Sequence, residues 1–386
     1  MKKHATVAAL SILSIYSTAR FIASGIVQPL HNFASDFLSA FPSLRMCLLL
    51  GRTDMYAESL AHQWAWEFRV AAPMWHYGPI FHVVTFPLFA FHDLRTAYIA
   101  WLFPTYAFLL AALMIAWRAF DLRGVRWIAL LGTLNFVPLY EAITQRNIEI
   151  FELMLLFGAF ALLRAGRQTP AGVLIGLAAM TKFLPLIFVP YFAVKRMWNA
   201  LAASLITIVP IAIAAEWMFG WSHSGIIIQL RQGSFILSAL NQSVSGAIIR
   251  LLQWTHSYSP ATAAALSRIA IAIGLAGVSW LLLKTRPCEC IEDLEWSMLI
   301  AAMVLLPPHN QQYYFVFLLF PFLALLARRL DLPWLAVSFL LVGAPLPFRL
   351  FGADAFRNYL YAGIPFVGAA ILAVLCVRAL RHVPCT

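Results

Sequence analysis

The sequence predicts an all-α polytopic membrane protein, and three observations carry that prediction. Of the 386 residues, 62% are hydrophobic and only 11% are charged, and the mean hydropathy is +0.81, values that exclude a water-soluble chain of this length. Apolar stretches of the ~20 residues needed to cross hydrocarbon recur from one end to the other. Lipid offers no partner to exposed backbone groups, so helices are the expected architecture. We expect residues 1–386 to form a single integral-membrane domain.

Each apolar stretch is assigned to a helix by its length. The first stretch resembles a signal peptide, but Arg20 interrupts it and no convincing cleavage site follows, so we expect an uncleaved first helix. The expected helices cover residues 5–27, 96–117, 127–143, 148–163, 170–194, 199–218, 260–284, 296–308, 311–327, 332–348 and 359–377.

Lysines and arginines between the apolar stretches set the orientation, because basic loops stay on the cytoplasmic side. They can share one side if residues 78–91 lie along the outer membrane face and residues 170–194 enter the membrane and return. The break falls at Thr181–Pro185, since proline ends a helix. With this hairpin the chain has about twelve membrane segments. The basic clusters are Lys2/Lys3, Arg118/Arg123/Arg126, Arg164/Arg167, Lys195/Arg196, Lys284/Arg286, Arg328/Arg329 and Arg378/Arg381.

Polar residues then collect on the outer side. This distribution predicts an active site at the outer leaflet of the cytoplasmic (inner) membrane and argues against a through-channel. The outer segments are the juxtamembrane region at about 28–95, the turn 144–147, the break at Lys182, the loop 219–255, the turn at His309 and the loop 349–358.

Nucleic acid is not an expected partner, although the net charge is +11, because topology explains the basic pairs. The five cysteines are scattered, and Cys288 and Cys290 lack a second ligand pair for zinc. No cofactor and no metal are predicted. Asp36 and Asp54 are the reservation, because together they could hold a divalent ion.

Asp36 is the first acidic residue and follows the first apolar stretch directly. As a carboxylate with restricted solvation it is the candidate general base for an attacking hydroxyl. The alternative is a cap on a juxtamembrane helix. Downstream, Tyr56 and Tyr77 stand among tryptophans and arginines, a composition typical of an interfacial belt or of rings that stack on a sugar or an isoprenoid chain.

Other ionisable and polar residues interrupt the apolar pattern at the outer helix ends. Gln145 and Arg146 precede Glu149 and Glu152, and intramembrane glutamates mark function or an ion pair. Arg146 is the expected partner of these glutamates. Lys182 sits within a long apolar stretch, where a lysine near a helix end would snorkel and one at a turn would face an anion such as phosphate. His309 follows two prolines in a polar turn, and is a satisfied hydrogen-bonder or a ligand contact.

The order of several short motifs resembles glycosyltransferase family 87, within the GT-C superfamily, over residues 30 to about 320. The sequence departs from the family pattern at Thr144, where glycine is usual, and after Pro308. The motifs are Asp36-Phe37, Gly51 to Tyr56, Tyr77-Gly78-Pro79, Gln145, the Gly172/Gly176 helix ending at Thr181-Lys182 and Pro185, Asn241-Gln242-Ser243 with Gly246 and Arg250, and Pro307-Pro308-His309.

The resemblance implies a GT-C-type fold and an inverting transferase that moves a sugar, typically mannose, from a polyprenyl-phosphate donor to a lipid or glycan acceptor outside the membrane. It implies Asp36 as the base, Lys182 and Arg250 near the donor phosphate, and His309 at the phosphate or the acceptor. We add a substrate-binding set from the polar outer positions: Tyr56, Tyr77, Gln145, Arg146, Glu149 and Asn241.

The residues fit this chemistry independently, because a lipid phosphate is a good leaving group and needs only one base and nearby cations. No second paired carboxylate demands a covalent intermediate. Two alternatives stay open. A lipid or glycolipid transporter predicts ionisable groups at mid-depth and weak twofold repetition, and a non-catalytic scaffold of an envelope-building complex predicts tolerance of substitution at the polar positions.

Overall fold

The computed structural model describes six ranges of the chain, and the regular elements within them are helices. The described ranges are residues 2–31, 77–91, 93–220, 240–285, 292–343 and 352–382. The α-helices are α1 Lys2–Arg20, α2 Gln28–His31, α3 Pro79–Thr85, α4 Leu94–Ala100, α5 Leu102–Ala119, α6 Arg126–Leu134, α7 Val137–Gln145, α8 Glu149–Arg164, α9 Gln168–Thr181, α10 Phe188–Val194, α11 Trp198–Phe219, α12 Val244–Trp254, α13 Pro260–Lys284, α14 Glu292–Leu305, α15 Leu319–Ala327, α16 Leu332–Gly343, α17 Ala353–Tyr361 and α18 Ile364–His382.

Four tighter or wider helical segments complete these elements. A π-helix, Phe21–Val27, joins α1 to α2, and 3₁₀-helices cover Phe86–Ala90, Leu184–Ile187 and Gln312–Leu318. The predicted first helix, residues 5–27, therefore lies within an uninterrupted run of helical backbone from Lys2 to His31.

Several helices are long and apolar enough to cross a bilayer, so the chain is a multi-pass membrane protein. Within the described ranges four helices meet this criterion, and a fifth span arises if the bent pair α6 and α7 is counted as one. The predicted count of about twelve segments is not confirmed, because several expected spans are broken into shorter helices. The four spans are Arg95–Ala119, Trp198–Phe219, Pro260–Lys284 and Ile364–Arg381.

The predicted helix 127–143 is wrong in one respect, because it bends by 44° between α6 and α7. The first helix reaches across to this bend. The Asn135 amide donates to Ser17 Oγ at 2.6 Å and to the Leu131 carbonyl at 2.8 Å, and Arg20 donates to the Asn135 carbonyl at 3.3 Å. Polar side chains thus satisfy the backbone that a bend inside a membrane helix exposes.

Two further expectations are corrected at the polar ends. The predicted outer loops 219–255 and 349–358 contain helices, α12 and α17 respectively, with residues 221–239 and 344–351 outside the described ranges. The predicted helix 359–377 divides into the end of α17 and α18, and the predicted helix 311–327 begins as a 3₁₀-helix.

The packing of α9 against α11 agrees with the predicted in-and-return path of the chain, whose position in a membrane stays a prediction. Near its start α9 meets the start of α11, where Ser204 Oγ donates to the Gly172 carbonyl at 3.1 Å, and near its end Met180 packs with Ala215. The two helices therefore run parallel, so residues 182–197 between them must return to the level at which α9 began. Because α9 rises only about 21 Å, it is shorter than the ~30 Å hydrocarbon core of a bilayer.

The other end of the helices carries the basic clusters and a buried ionic network. Lys195 forms an ion pair with Glu295 and donates to Thr285 Oγ1 at 2.8 Å, which ties the return segment to the end of α13. Arg328 makes two hydrogen bonds to Asp293, at 2.7 and 2.6 Å. The predicted start of helix α14 at residue 296 was too late because these pairs allow acidic residues inside the fold.

Between the two polar ends lies an aromatic core. Trp296 of α14 is fully buried, and its ring centroid lies 4.4 Å from that of Phe188 and 5.5 Å from that of Phe160. Phe320 packs edge-on against Phe160 with a centroid distance of 4.9 Å. This core fixes the return segment, α8, α14 and α15 relative to one another.

Replacing Gly172 by valine should destabilise the protein, because a Cβ at this position would lie 2.2 Å from the carbonyl oxygen of Ala200. Overpacking of this kind costs about 1–3 kcal/mol or more. Gly277 in α13 is the matched control, since a Cβ there meets nothing within 4 Å. Thermal unfolding of the two detergent-purified variants checks this, and equal melting temperatures would contradict the α9–α11 contact.

Candidate functional site

The segment Tyr77-Gly78-Pro79 seats directly on the end of α9. The Gly78 amide donates to the Thr181 carbonyl at 2.7 Å, and a Cβ on Gly78 would lie 2.1 Å from the Met180 carbonyl oxygen. Only glycine permits this approach. Pro79 then begins α3, where a missing amide hydrogen costs nothing. The motif therefore places the Tyr77 ring beside Lys182.

Lys182 is the centre of the site, and its ammonium is buried at the break after α9. It forms a buried ion pair with Glu149 at the start of α8 and donates to the Tyr314 hydroxyl at 3.1 Å. Three tyrosine rings surround it within cation–π range. The distances from Lys182 Nζ to the ring centroids are 4.6 Å for Tyr77, 5.6 Å for Tyr313 and 4.4 Å for Tyr314.

A second carboxyl group, that of Glu152, lies one helical turn beyond Glu149 and faces Lys182. It is fully buried, and it faces both the ammonium and the backbone amide of Lys182. Nearby, the Tyr77 hydroxyl donates to Asn147 Oδ1 at 2.6 Å. One ammonium thus faces two carboxyl groups, so an anion that reaches Lys182 must compete with Glu149.

His82 lies beside this group on α3, and its environment is apolar. The Tyr77 and Phe81 rings stack with centroids 4.3 Å apart, and the His82 ring meets Phe81 edge-on at 5.3 Å. Burial lowers the pKa of His82 to about 3, because desolvation disfavours the imidazolium. His82 is therefore neutral at physiological pH and adds no cation to the site.

A second polar group is built from the segment 241–243 and the turn 308–310. The side-chain amide of Asn241 donates through Nδ2 to the Pro308 carbonyl at 2.9 Å. Its Oδ1 accepts from the backbone N–H of Asn310 at 3.0 Å and from the backbone N–H of Ser243 at 3.1 Å. The Gln242 amide nitrogen of the backbone donates to the Asn310 carbonyl at 2.7 Å. Asn241 therefore positions the turn that carries His309.

Two of the predicted phosphate-binding residues lie at this turn: His309 is part of it, and Arg250 contacts the segment beside it. Arg250 in α12 donates to the Asn241 carbonyl at 2.7 Å, and burial lowers the pKa of its guanidinium, the direction expected for a cation removed from water. An anion nearby would oppose that shift. His309 is half-buried, and its Nε2 lies 3.4 Å from the Gln311 amide nitrogen.

The two groups lie at the same end of the molecule. Tyr314 N donates to the Gln311 carbonyl at 3.1 Å, so a few residues connect the His309 turn to the tyrosine that contacts Lys182. This end is opposite to the basic end, where Lys195 and Arg328 pair with their carboxylates. Within the described residues no group of three His, Cys, Asp or Glu side chains has an arrangement suited to a metal ion.

Comparison with known proteins decides the family. A model of glycosyltransferase family 87 matches residues 75–308, which is more than half of the 386-residue chain. The chain belongs to glycosyltransferase family 87. No curated protein matches it. The match includes Tyr77, Lys182 and Arg250, begins after Asp36, and ends one residue before His309.

The transferase brings some of the predicted site residues together and places others elsewhere. Tyr77, Glu149 and Lys182 meet at the break, and Asn241, Arg250 and His309 gather at the neighbouring turn. Gln145 is the half-buried last residue of α7. The remaining predicted residues Asp36 and Tyr56, like Asp54, lie outside the described residues.

Arg146 does not pair with Glu149, so that interpretation is wrong. It is fully buried in a left-handed conformation with φ 52°, donates to the carbonyls of Tyr98 at 2.9 Å and Pro29, and stacks on the Tyr98 ring 3.3 Å from its centroid. Its own carbonyl accepts from Trp101 Nε1 at 3.1 Å. Arg146 therefore ties α2 and α4 to the turn before α8.

Sequence reasoning missed three residues of the Lys182 group. Asn147, Tyr313 and Tyr314 were not singled out, although all three border polar turns at the predicted outer side. The adjacent tyrosines after Gln311-Gln312 were the available signal, because a hydroxyl beside a buried lysine provides a hydrogen bond that an apolar residue cannot.

Replacing Lys182 by methionine should destabilise the transferase strongly, because it leaves the Glu149 carboxylate buried without its counter-charge. Breaking one partner of such a pair costs about 3–5 kcal/mol. The double variant Lys182→Met, Glu149→Gln should recover much of that loss. Melting temperatures of both single variants and the double variant test the coupling.

The exposed ion pair between Arg123 and Asp121 provides the matched control. Removing it by Asp121→Asn should leave the melting temperature essentially unchanged, since solvent screens such pairs. Additive effects of the Lys182 and Glu149 substitutions would show that the buried pair does not act as a unit.

Proposed function

We propose that this transferase moves a sugar, with mannose as the first candidate, from a polyprenyl-phosphate donor to a lipid or glycan acceptor on the outer face of the cytoplasmic membrane. The observation that supports this most is the buried Lys182 group, which lies at the end opposite to the basic clusters in a chain of family 87. Transfer proceeds by a single displacement with inversion, and Asp36 is the base.

The proposed chemistry needs few groups. The acceptor hydroxyl loses its proton to Asp36 and attacks the anomeric carbon, while the bond to the phosphate oxygen breaks and the lipid phosphate leaves. Cations that hold the departing phosphate stabilise the charge that develops on it. Arg250, His309 and Lys182 are the candidates, and all three lie at one end of the molecule.

The Lys182 ammonium needs an anionic partner both before and after the donor binds. Without donor its ammonium is held by Glu149, and an isolated ammonium would be costly to bury. When the donor binds, its phosphate competes with Glu149 for the ammonium. The released Glu149 carboxylate then becomes an acceptor for a sugar hydroxyl, which agrees with its assignment as a substrate-binding residue.

The tyrosine rings and the amide groups suit the rest of the donor. Aromatic faces stack on the apolar faces of sugar rings, and Tyr77, Tyr313 and Tyr314 are the rings nearest to Lys182. Gln145 and Asn241 supply neutral hydrogen-bonding groups at the same end, with Asn241 acting through the turn that it positions. Tyr56 is proposed to extend the aromatic surface from the juxtamembrane region.

The variant Asp36→Asn should lose transfer, because an amide cannot accept the proton of the attacking hydroxyl. The assay uses protein in liposomes, labelled polyprenyl-phosphate mannose and a lipid extract as acceptor. We expect product formation to fall at least 100-fold, within the range attributed to general-base catalysis.

Asp121→Asn is the control for this assay, since Asp121 is exposed at the basic end. Full activity of Asp36→Asn would overturn the role of Asp36. Movement of the labelled lipid across sealed vesicles without bond formation would favour a transporter. Wild-type protein that is inactive with every polyprenyl-phosphate sugar tested would overturn the proposed donor class.

The double variant Lys182→Met, Glu149→Gln separates a catalytic contribution from a structural one. Because it removes both charges together, the double variant should be more stable than Lys182→Met alone. It should nevertheless bind the donor phosphate poorly. We expect donor KM to rise about 10-fold or more. Unchanged donor KM in a folded double variant would show that Lys182 does not contact the phosphate.

A further inference from the structure

An apolar groove runs along one face of α18. It has a volume of about 420 Å³, and it lies between α18 and the facing surface of α16. Its floor includes the buried Leu375, and Val367 and Val374 on its rim are 48% and 57% exposed. The residues that line it are Trp334, Phe366, Val367, Ala370, Ile371, Val374, Leu375 and Arg378.

The length of the groove matches one leaflet. From Phe366 to Arg378 a helix rises about 18 Å, and half of the hydrocarbon core is about 15 Å thick. Residues Ile364–Arg381 form one of the four candidate spans. The groove is therefore open to hydrocarbon along its length, and a single extended acyl chain fits its dimensions.

The groove is apolar along most of its length and ends at a charged residue, Arg378. This end belongs to the basic side of the molecule, because α18 runs away from the site and Arg378 lies 4.0 Å from Asp331, which follows the basic pair Arg328/Arg329. The Arg378 side chain is 53% exposed, and the loose contact with Asp331 leaves most of its donors available. Trp334 beside it suits a membrane–water interface.

We propose that this groove binds an anionic phospholipid from the leaflet at the basic end, with one acyl chain along α18 and the phosphate on Arg378. Charge complementarity selects this occupant. A zwitterionic lipid presents a cation near Arg378, and an apolar helix from a second copy leaves the guanidinium without an anion. Basic positions between helices on the cytoplasmic side attract anionic head groups.

Native mass spectrometry of the purified full-length protein tests the site. The protein is mixed with equal amounts of phosphatidylglycerol and phosphatidylcholine in detergent, and retained lipids are counted. We expect wild type to retain phosphatidylglycerol preferentially, and Arg378→Ala to reduce that retention about fivefold. Ala370→Phe, which fills the groove, should reduce retention of the acyl chain without removing the charge.

Arg118→Ala is the control, because Arg118 is an exposed arginine in the last turn of α5 and does not line the groove. It should retain lipid as wild type does. Equal retention by wild type and Arg378→Ala, or no preference for the anionic lipid, would overturn the proposal. A dimer that dissociates on Ala370→Phe would assign the groove to a second copy instead. Gel filtration confirms that each variant is folded.

Discussion

A charge buried inside a membrane protein must meet its counter-charge there, and this constraint shapes both ends of the transferase. At one end Lys182 pairs with Glu149, and at the other Lys195 pairs with Glu295. Both lysines belong to the segment between α9 and α11, Lys182 at its start and Lys195 after α10. Without these two pairs, both ammonium groups would be buried in the protein without a counter-charge, at a cost of several kcal/mol.

The two pairs have different surroundings. This difference distinguishes the Lys195 pair, which is structural, from the Lys182 pair, which belongs to the candidate site. Lys195 is enclosed by Thr285 and by Tyr191, whose hydroxyl donates to Glu295 at 3.0 Å, so that group is closed and satisfied. Around Lys182 two buried carboxyl groups, those of Glu149 and Glu152, face a single ammonium. A buried polar group that is only partly compensated in this way is the kind that a substrate or water completes.

Interactions that are local in sequence were predictable, and those between distant residues were not. The break at Lys182 followed from Pro185 together with the basic residues on both sides of the stretch, and α13 matched residues 260–284 because its apolar run is uninterrupted. The bend between α6 and α7 was missed because Ser17 and Arg20, which satisfy it, precede it by more than a hundred residues. The pairing of Glu149 was missed for the same reason, since Arg146 is its neighbour in sequence whereas Lys182 is its neighbour in space.

In the candidate site, too, the features that depend on local sequence were predictable and the contacts between distant residues were not. The sequence placed Tyr77, Lys182 and His309 at the same end, because topology alone decides on which side a helix end lies. It did not reveal that Arg146 is committed to the carbonyls of Tyr98 and Pro29, or that the Asn241 amide is committed to the His309 turn. Hydrogen bonds to distant backbone carbonyls have no signature in a single sequence, so polar residues that build a site cannot be told from those that touch its ligand.

The proposed function requires the Lys182 end to face out of the cell and the basic end to face in. The direct measurement is labelling of single cysteines by a membrane-impermeant thiol reagent in intact cells, in an otherwise cysteine-free protein. Ser257→Cys, exposed beside the start of α13, should be labelled in intact cells, and Arg123→Cys, exposed at the basic end, only after permeabilisation. The opposite pattern would overturn the proposed orientation, because the polar group around Lys182 would then face the cytoplasm.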